Sequence, residues 1–361
     1  MPDPERRPES GSRPTAWVLA APGAGDNRQL ETLVELLGAD ARWIDQVDPV
    51  RRVLRDRLIG FRASHVPLEK CATYAPPWPD LVLIAGGRAV IDACRIRNAS
   101  GGHSRVVCLG RPWAPLNWFD LIVTTPQYRL PEAENVVMLD LPLNLPPRPA
   151  EDVVAYWRDE FERLPHPRLG VLLGGDSGSY RFDVDSAESL ALSVNRILDE
   201  CGGSAVVVGS PRTPQKAIEH MAGRLTIPAR THAWGPQAPN PYASVLQLAD
   251  ALLVTSDSAS MLAEACHSGK PVGMFHLHER PRSRLNRRIR AVTPTLTKAT
   301  AKLTARGIWV PAREMPELHR RAAASGRLNN ISDLLSGVGR PRGFEASVAG
   351  VRDRVNALLE R

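Results

Sequence analysis

Short apolar runs alternate along the chain with longer stretches whose apolar residues recur at helical spacing. The first half holds five such runs, at Trp17–Ala21, Leu81–Ala85, Val106–Leu109, Leu121–Thr124 and Val136–Leu139. The runs are continuous instead of alternating, which is typical of strands buried on both faces of a parallel sheet. This half therefore predicts an α/β domain with helices between the strands.

The same rhythm restarts after a proline-rich stretch, Leu141–Pro149. Because proline cannot donate to a strand ladder and stiffens a tether, this stretch predicts an interdomain linker. A helix is predicted at 150–164, where Val153, Val154, Trp157 and Phe161 share one face. Further strands are predicted at Leu169–Leu173, Ala205–Val208, Ala251–Val254 and Pro271–Leu277.

These patterns divide the chain of 361 residues into five segments, and the length suits two domains. The last segment is predicted to be a helix, since its valines form one apolar stripe, and we expect it to pack back on the first domain. The predicted segments are a disordered lead (1–14), an N-terminal domain (15–145), a linker and helix (146–165), a C-terminal domain (166–340) and the C-terminal helix (341–361).

Composition excludes several classes of protein. The hydrophobic fraction of 43% and the charged fraction of 24% are those of a globular chain, and no apolar run reaches the ~18 residues of a membrane span. The net charge of +7 rests on 46 basic residues, of which only five are lysine, so arginine bias explains much of it. We find no nucleic-acid module and expect no nucleic-acid partner. Five irregularly spaced cysteines without a CxxC argue against a zinc ribbon or disulfide framework, and favour a cytoplasmic protein.

Three predicted strand ends in the second half are rich in small and hydroxyl residues: Gly174–Ser179, Gly209–Pro214 and Thr255–Ser260. Ligands of open parallel sheets bind at such ends, and small residues at a helix start favour a phosphate. Together they predict a diphosphate pocket, with Arg212 as the counter-charge and no metal or other cofactor. Tight βα turns without a ligand are the alternative.

A carboxylate follows the third of these ends. Ser260 and Glu264 lie four residues apart and so share a helix face. One turn below a phosphate-binding helix start, Glu264 is placed to accept hydrogen bonds from ribose hydroxyls. The alternative is an ordinary helix charge.

The segment Val254–Val272, which reads VTSDSASMLAEACHSGKPV, resembles the signature of the mitochondrial-fission Elm (elongated mitochondria) family. Supporting matches lie at Ser210–Pro214, Asn240–Tyr242, Gly174–Tyr180 and Phe119–Pro126, so the resemblance spans roughly 15–335. Bacterial members of that family are regarded as glycosyltransferases, and the wider resemblance is to GT-B glycosyltransferases.

The resemblance implies two Rossmann-like domains facing across a cleft, with a nucleotide-sugar donor on the second. It implies that the donor's diphosphate contacts the glycine-rich loop and the helix start, and that Glu264 binds the ribose. The residues assigned to the donor site on these grounds are Gly174, Gly175, Ser177, Gly178, Ser179, Arg212, Tyr242, Asp257, Ser258, Ser260, Met261, Glu264 and Lys270.

The resemblance also places the acceptor on the N-terminal domain. Transfer needs a base for the acceptor hydroxyl, and Asp26, after the first predicted strand, is the candidate; a helix N-cap is its alternative role. Asp183-Val-Asp185 has the Asp-x-Asp form of metal-dependent glycosyltransferases. It precedes a helix, however, so we expect Asp185 to be the helix cap, with Glu188 as its capping-box partner.

Three functions stay open. The first is transfer of a sugar to an envelope glycan or lipid-linked acceptor. The second is a catalytically silent scaffold or recruitment protein with a fission-like role, and the third is a sugar-nucleotide epimerase. Six arginines within Arg280–Arg290 form either a solvated face, a nucleic-acid contact or a patch for an anionic membrane. The membrane patch would place the protein at the cytoplasmic face of the inner membrane.

Overall fold

The computed structural model describes residues 13–45, 74–87, 89–236, 239–291, 294–336 and 344–360. Within these ranges the chain forms two parallel α/β sheets with helices between their strands. The predicted class, two Rossmann-like domains, is confirmed.

Thirteen strands lie within the described residues. They are β1 (Thr15–Leu19), β2 (Asp40–Ile44), β3 (Leu81–Ala85), β4 (Arg105–Leu109), β5 (Leu121–Thr124), β6 (Val136–Met138), β7 (Arg168–Leu173), β8 (Tyr180–Arg181), β9 (Ser204–Gly209), β10 (Ala229–His232), β11 (Ala251–Thr255), β12 (Val272–Phe275) and β13 (His278–Glu279).

Eleven α-helices lie within the same residues. They are α1 (Ala24–Leu37), α2 (Val90–Ala99), α3 (Glu151–Glu162), α4 (Val184–Asp199), α5 (Gln215–Arg224), α6 (Tyr242–Leu248), α7 (Ala259–His267), α8 (Pro281–Ala291), α9 (Pro294–Ala305), α10 (Met315–Ala324) and α11 (Phe344–Leu359). None of these helices is long and apolar enough to cross a membrane.

The first unit contains a six-stranded sheet in the order β2-β1-β3-β4-β5-β6, with every pair parallel. Its central strands are apolar at every position, because helices cover both faces; all five residues of β3 are buried. The chain leaves β1 toward β2 on one side and returns to β3 on the other. The point between β1 and β3 is therefore the topological switch point of this sheet.

The second unit contains a five-stranded parallel sheet in the order β10-β9-β7-β11-β12. Its core is formed by these strands and the apolar faces of α3, α4 and α7, with Phe161 and Leu190 among the buried side chains. The switch point lies between β7 and β11. A short antiparallel pair, β8 with β13, joins the segment after β7 to the segment after β12.

The contact pattern divides the chain into two discontinuous units. Unit 1 comprises Met1–Leu139, Ala299–Ala312 and Val348–Arg361, and unit 2 comprises Asp140–Lys298 and Arg313–Ser347. The division places 299–312 with unit 1, whereas the sequence pattern assigned that stretch to the C-terminal domain. From Val348 on, helix α11 belongs to unit 1, where Arg354 donates to the Glu134 carbonyl oxygen, so this part of the last helix packs on the first domain as expected.

Two local expectations are wrong. Helix α4 is capped by Asp183 and not by Asp185, because the Asp183 carboxylate accepts from the Ser186 amide at 3.0 Å. Glu188 does not form the capping box; it accepts from His220 at 2.5 Å and from Arg224 at 2.7 Å. A difference of two residues in where the helix begins decides which aspartate meets the free amides of the first turn.

We expect the amphipathic pattern of α4 to govern the stability of unit 2. Leu190 is fully buried and Leu192, two residues on, is 58% exposed. Leu190→Ala should cost about 2–5 kcal/mol in unit 2, whereas Leu192→Ala should change it by less than about 0.5 kcal/mol. Amide hydrogen exchange of β7 and β9 in each variant measures the difference, and equal exchange in the two variants would contradict this core.

Candidate nucleotide-sugar site in unit 2

The predicted loops meet at the carboxyl ends of β7, β9 and β11. The strand registers set Leu172 beside Val254 and Leu173 beside Gly209, so the three loops begin at the same edge of the sheet. This edge includes the switch point between β7 and β11, where open α/β sheets bind their ligands. The structure therefore brings together the three segments that the sequence selected.

A buried carboxylate holds the three loops together. The Asp257 side chain is wholly inaccessible and accepts from the Gly175 amide at 2.9 Å and from the Thr255 hydroxyl at 2.7 Å. It also pairs with the Arg212 guanidinium at 2.9 Å, which brings in the loop after β9. Asp257 thus positions the loops and does not itself face a ligand, which corrects its assignment as a donor-binding residue.

Close approach of these backbones explains the two glycines. A Cβ at Gly174 would lie 2.2 Å from both Asp257 carboxylate oxygens, and a Cβ at Gly175 would lie 2.0 Å from the Arg212 carbonyl oxygen. The hydroxyls of Ser210, at 2.6 Å, and of Thr213 donate to the Gly174 carbonyl oxygen. The two glycines therefore allow the loops to pack closely, and the two hydroxyls form hydrogen bonds inside the protein.

The rest of the glycine-rich loop is turned toward solvent. Ser177 is tied back to the loop, since its hydroxyl accepts from the Tyr180 amide at 3.1 Å. Gly178 is exposed, with no atom within 4 Å of where its Cβ would stand, and Ser179 is half-buried. Arg280 holds the loop from the other side, donating to the carbonyl oxygens of Ser177 and Tyr180. Gly178, Ser179 and the exposed side chain of Asp176 are the part of this loop that a ligand can reach.

Helix α7 begins at this edge. Ser258 is its N-cap and accepts from the Met261 amide at 3.4 Å. Ser258, Ser260 and Met261 are half-buried. The amides of the first turn and the helix dipole make the start of α7 favourable for an anion.

Arg212 adds a positively charged side chain beside the start of α7. Its side chain is 42% exposed, and besides the Asp257 pair it donates to the Asp176 carbonyl oxygen at 3.2 Å. A guanidinium has five N–H donors, so this side chain has donors left for a ligand. The accessible N–H and O–H donors at this edge suit a phosphate, while the exposed carboxylate of the loop, Asp176, is paired with Arg280.

Glu264 differs from its expected role. It is only 6% exposed; its carboxylate accepts from the Tyr242 hydroxyl, and from the Asn144 amide at 3.5 Å. Glu264 and Tyr242 are thus joined to each other beneath the surface. The buried partner Asn144 comes from the proline-rich stretch 120 residues earlier, and no sequence pattern signals that contact.

Lys270 lies at the other edge of the sheet. Helix α7 runs back across the sheet, so the Gly-Lys-Pro turn after it stands at the amino end of β12. Burial lowers the pKa of Lys270, and nearby Asp250, which precedes β11, partly opposes that shift. Lys270 does not belong to the candidate site, which corrects its assignment from the motif.

Asp26 lies at the switch point of unit 1. It sits in the first turn of α1, after β1, and is half-buried. The N-cap of α1 is Gly23, so the alternative of Asp26 as the cap is wrong. The chain entering the helix is held instead by Asn27, whose side chain bonds both the amide and the carbonyl of Ala21.

Sequence reasoning missed three residues that shape the site. Thr255 and Thr213 were seen only as part of hydroxyl-rich loops, although each bonds the glycine loop. Asp176 accepts from the Phe182 amide at 3.0 Å and pairs with Arg280 at 3.3 Å. Within the part of the chain that the structure describes, no group of three or more metal-ligating side chains forms a metal site.

Comparison with known families gives one match over most of the chain. The family model described as mitochondrial fission ELM1 matches residues 24–328. This confirms the resemblance carried by Val254–Val272.

Two relatives support the match. The mitochondrial fission protein ELM1 of Arabidopsis thaliana is 30% identical over 223 residues, covering 55% of this chain and 52% of that protein. An uncharacterized protein of Rickettsia prowazekii is 30% identical over 300 residues, covering 72% of this chain and 82% of its own. The chain thus spans about half the length of the Arabidopsis relative.

Solved structures that align with this chain include a glycosyltransferase from Rickettsia africae, with a TM-score of 0.47 and 9% identity. The alignment covers 97% of this chain and 100% of that chain. Another is a UDP-GlcNAc 2-epimerase from Methanocaldococcus jannaschii, with a TM-score of 0.47 and 12% identity. The alignment covers 95% of this chain and 99% of that chain. Because these TM-scores lie below 0.5, neither the substrates nor the reactions of these proteins are assigned to this chain.

Because the backbone of Gly175 packs against the backbone of Arg212, we expect that even a methyl group at position 175 disturbs the site. Gly175→Ala should destabilise unit 2 by about 1–3 kcal/mol, because the new Cβ would meet the Arg212 carbonyl oxygen. Gly178→Ala, in the same loop but in open space, is the control and should leave stability nearly unchanged. Thermal unfolding measures both, and an unchanged midpoint for Gly175→Ala would contradict the close approach.

Acid should weaken the packing of the C-terminal end of α7 through His267. Burial lowers the pKa of His267 from 6.5 to about 4, while its Nδ1 donates to the Asn144 carbonyl oxygen at 2.7 Å. The unfolded chain therefore binds a proton first as pH falls. The stability contributed by neutral His267, at most about 3 kcal/mol, is complete above pH 6.5 and is lost toward pH 4.

Unfolding free energy measured between pH 7 and 4 checks this dependence. His267→Gln should flatten the acid-side slope. His166→Gln, at an exposed histidine of the same unit, should keep it because His267 is intact. A slope unchanged by His267→Gln would contradict the prediction.

Proposed function

We propose that this chain, which belongs to the mitochondrial fission ELM1 family, binds a nucleotide-linked sugar in unit 2 and transfers the sugar to an acceptor. One observation carries the proposal: at the switch point of the second sheet, the start of α7, the turn at Gly178 and the outer N–H groups of Arg212 present hydrogen-bond donors together, and the exposed carboxylate of the loop, Asp176, is paired with Arg280. A diphosphate is the ligand that such an edge favours.

Each part of the edge has a role in the proposal. The backbone of Gly178 and Ser179 and the start of α7 contact the diphosphate, with the hydroxyls of Ser258 and Ser260 as additional donors. The remaining N–H groups of Arg212 neutralise the leaving diphosphate as the sugar bond breaks. In this mechanism the protein itself supplies the positive charge, without a metal or other cofactor.

Unit 1 supplies the acceptor side of the proposal. Asp26 is the base that accepts the proton of the acceptor hydroxyl. A carboxylate in the first turn of α1, at the switch point of its own sheet, supports that role. The acceptor class that we propose is an envelope glycan or a lipid-linked sugar.

A lipid-linked acceptor implies a surface near the membrane. On α8, Arg282 is exposed and Leu285 is 57% exposed, a combination that suits the headgroups of an anionic bilayer. We therefore place the protein in the cytoplasm, in peripheral contact with the inner membrane.

A silent scaffold is the second candidate function. It is favoured by Glu264, whose carboxylate is buried against Tyr242 and Asn144 where a donor-binding protein would turn it toward ribose. A recruitment role would also agree with the fission function named for the Arabidopsis relative.

A charge placed at Gly178 tests the donor site. Gly178→Asp adds a carboxylate to the exposed loop, where space is open. It should weaken binding of UDP-, GDP- or ADP-sugars at least tenfold by repelling the diphosphate, and binding of CMP-sugars by repelling their single phosphate. Gly178→Asn has nearly the same shape without the charge and should bind within about threefold of the unsubstituted protein. At 100 times its dissociation constant, the ligand should add about 2.7 kcal/mol to stability, which thermal shift detects.

The products separate the functions. Transfer of the sugar with release of a nucleoside diphosphate, or of CMP from a CMP-sugar, indicates a transferase, and binding without any reaction indicates the scaffold. Recovery of the donor as its epimer indicates an epimerase. If no nucleotide-sugar stabilises the protein, the donor site is refuted.

Asp26→Asn tests the base. With the amide in place of the carboxylate, proton removal from the acceptor is lost, and kcat should fall by about 10²–10⁴. Donor binding, measured by thermal shift, should be unchanged because the donor lies on unit 2. Full transfer activity in Asp26→Asn would remove this residue from the mechanism.

A further inference from the structure

A second cavity of unit 2 has a different chemistry. Its volume is about 760 Å³, and it lies between the segment after β12, helix α8 and helix α10. The lining residues that give it this chemistry are His276, His319, Arg284, Arg288 and Glu279.

His319 presents an unused acceptor. It is only 5% exposed, and its Nε2 has no hydrogen-bond partner among the residues that the structure describes. The ring also bonds the Ser256 backbone, so that bond is made by Nδ1. Burial and neighbouring His276 lower the pKa of His319 to about 4, so the ring is neutral near pH 7 and Nε2 accepts. A buried acceptor in a cavity wall calls for a hydroxyl or amide donor from a ligand.

The wall of the cavity is positively charged. Arg284 and Arg288 lie four residues apart on one face of α8, both are exposed, and neither forms an ion pair with a described residue. Arg320, also in the lining, pairs with Glu317. Glu279 contributes one opposing charge, which leaves the α8 pair as an excess of positive charge at the mouth.

We propose that this cavity binds a small organic anion that carries hydroxyl groups, such as a sugar phosphate or a sugar acid. A ligand hydroxyl donates to His319 Nε2, and the anionic group lies against Arg284 and Arg288. The lining of the cavity includes none of the residues proposed to contact the diphosphate, and the anionic sugar arrives either free or attached to a nucleotide.

Calorimetric titration of the full chain at pH 7.5 tests the site. Glucose 6-phosphate should bind at least tenfold more tightly than glucose or inorganic phosphate, because only the first satisfies both His319 and the arginines. Arg284→Gln/Arg288→Gln should lose that binding at least tenfold. Arg282→Gln, on the same helix but outside the lining, should not.

His319→Phe separates the hydroxyl contact from the charge. It should reduce binding of glucose 6-phosphate to the level of inorganic phosphate and leave phosphate binding unchanged. If His319→Phe fails to fold, the double arginine variant on the exposed helix still decides. No binding of glucose 6-phosphate, binding equal to that of phosphate, or binding unchanged in the double variant would overturn the proposal.

Binding of two nucleotide-sugars shows whether the anion is part of a donor or a separate molecule. If UDP-glucuronate binds more tightly than UDP-glucose and the double variant removes the difference, the cavity holds the sugar of a donor. If only the free sugar phosphate depends on the arginines, the ligand is a separate molecule. Gly178→Asp, which acts on nucleotide binding alone, shows separately whether the proposed donor site fails.

Discussion

The carboxyl edge of the second sheet depends on the burial of Asp257. Removing a carboxylate from water costs several kcal/mol unless hydrogen bonds and an opposite charge compensate it. Here one backbone amide, one hydroxyl and one guanidinium do so, and they come from three different strand ends. Each loop is thereby constrained: Gly174 admits no side chain, Gly175 must present its amide, and Arg212 must reach across from β9.

This constraint also sets what the edge can do. Asp257 and Glu264 are both buried and both occupied by the protein's own donors, so neither is available as an acid or base at the surface. What remains accessible is the start of α7, the exposed turn at Gly178, the outer part of Arg212 and the Asp176 carboxylate, which is paired with Arg280. The donors of this set can hold negative charge and stabilise it as it develops. Because Arg280 engages Asp176 and the other two carboxylates are buried, the base is sought on unit 1.

How far the sequence predicts the structure depends on burial. Central strands such as β3 and β7 are continuous apolar runs, and their predicted positions agree with the structure to within one residue. The edge strands β2 and β10 were missed, since an edge strand has one neighbour and keeps polar residues, as in Ala-Arg-Thr-His. The loops of the site were found because composition marks them. The burial of Glu264 was not predicted, because it depends on a contact with Asn144, which lies 120 residues earlier in the chain.

The arginine-rich segment after β12 combines structural and exposed roles. Arg280 bonds three groups of the glycine-rich loop, and the β8–β13 pair holds the same two segments together, so the start of α8 and the loop are fixed as one piece. One and two turns further along, Arg284 and Arg288 line the cavity of His319, whose ring is hydrogen-bonded to the Ser256 backbone beside Asp257. The arginines that first appeared to be a composition bias thus divide by position into Arg280, which holds the glycine-rich loop, and Arg284 and Arg288, which line the neighbouring cavity.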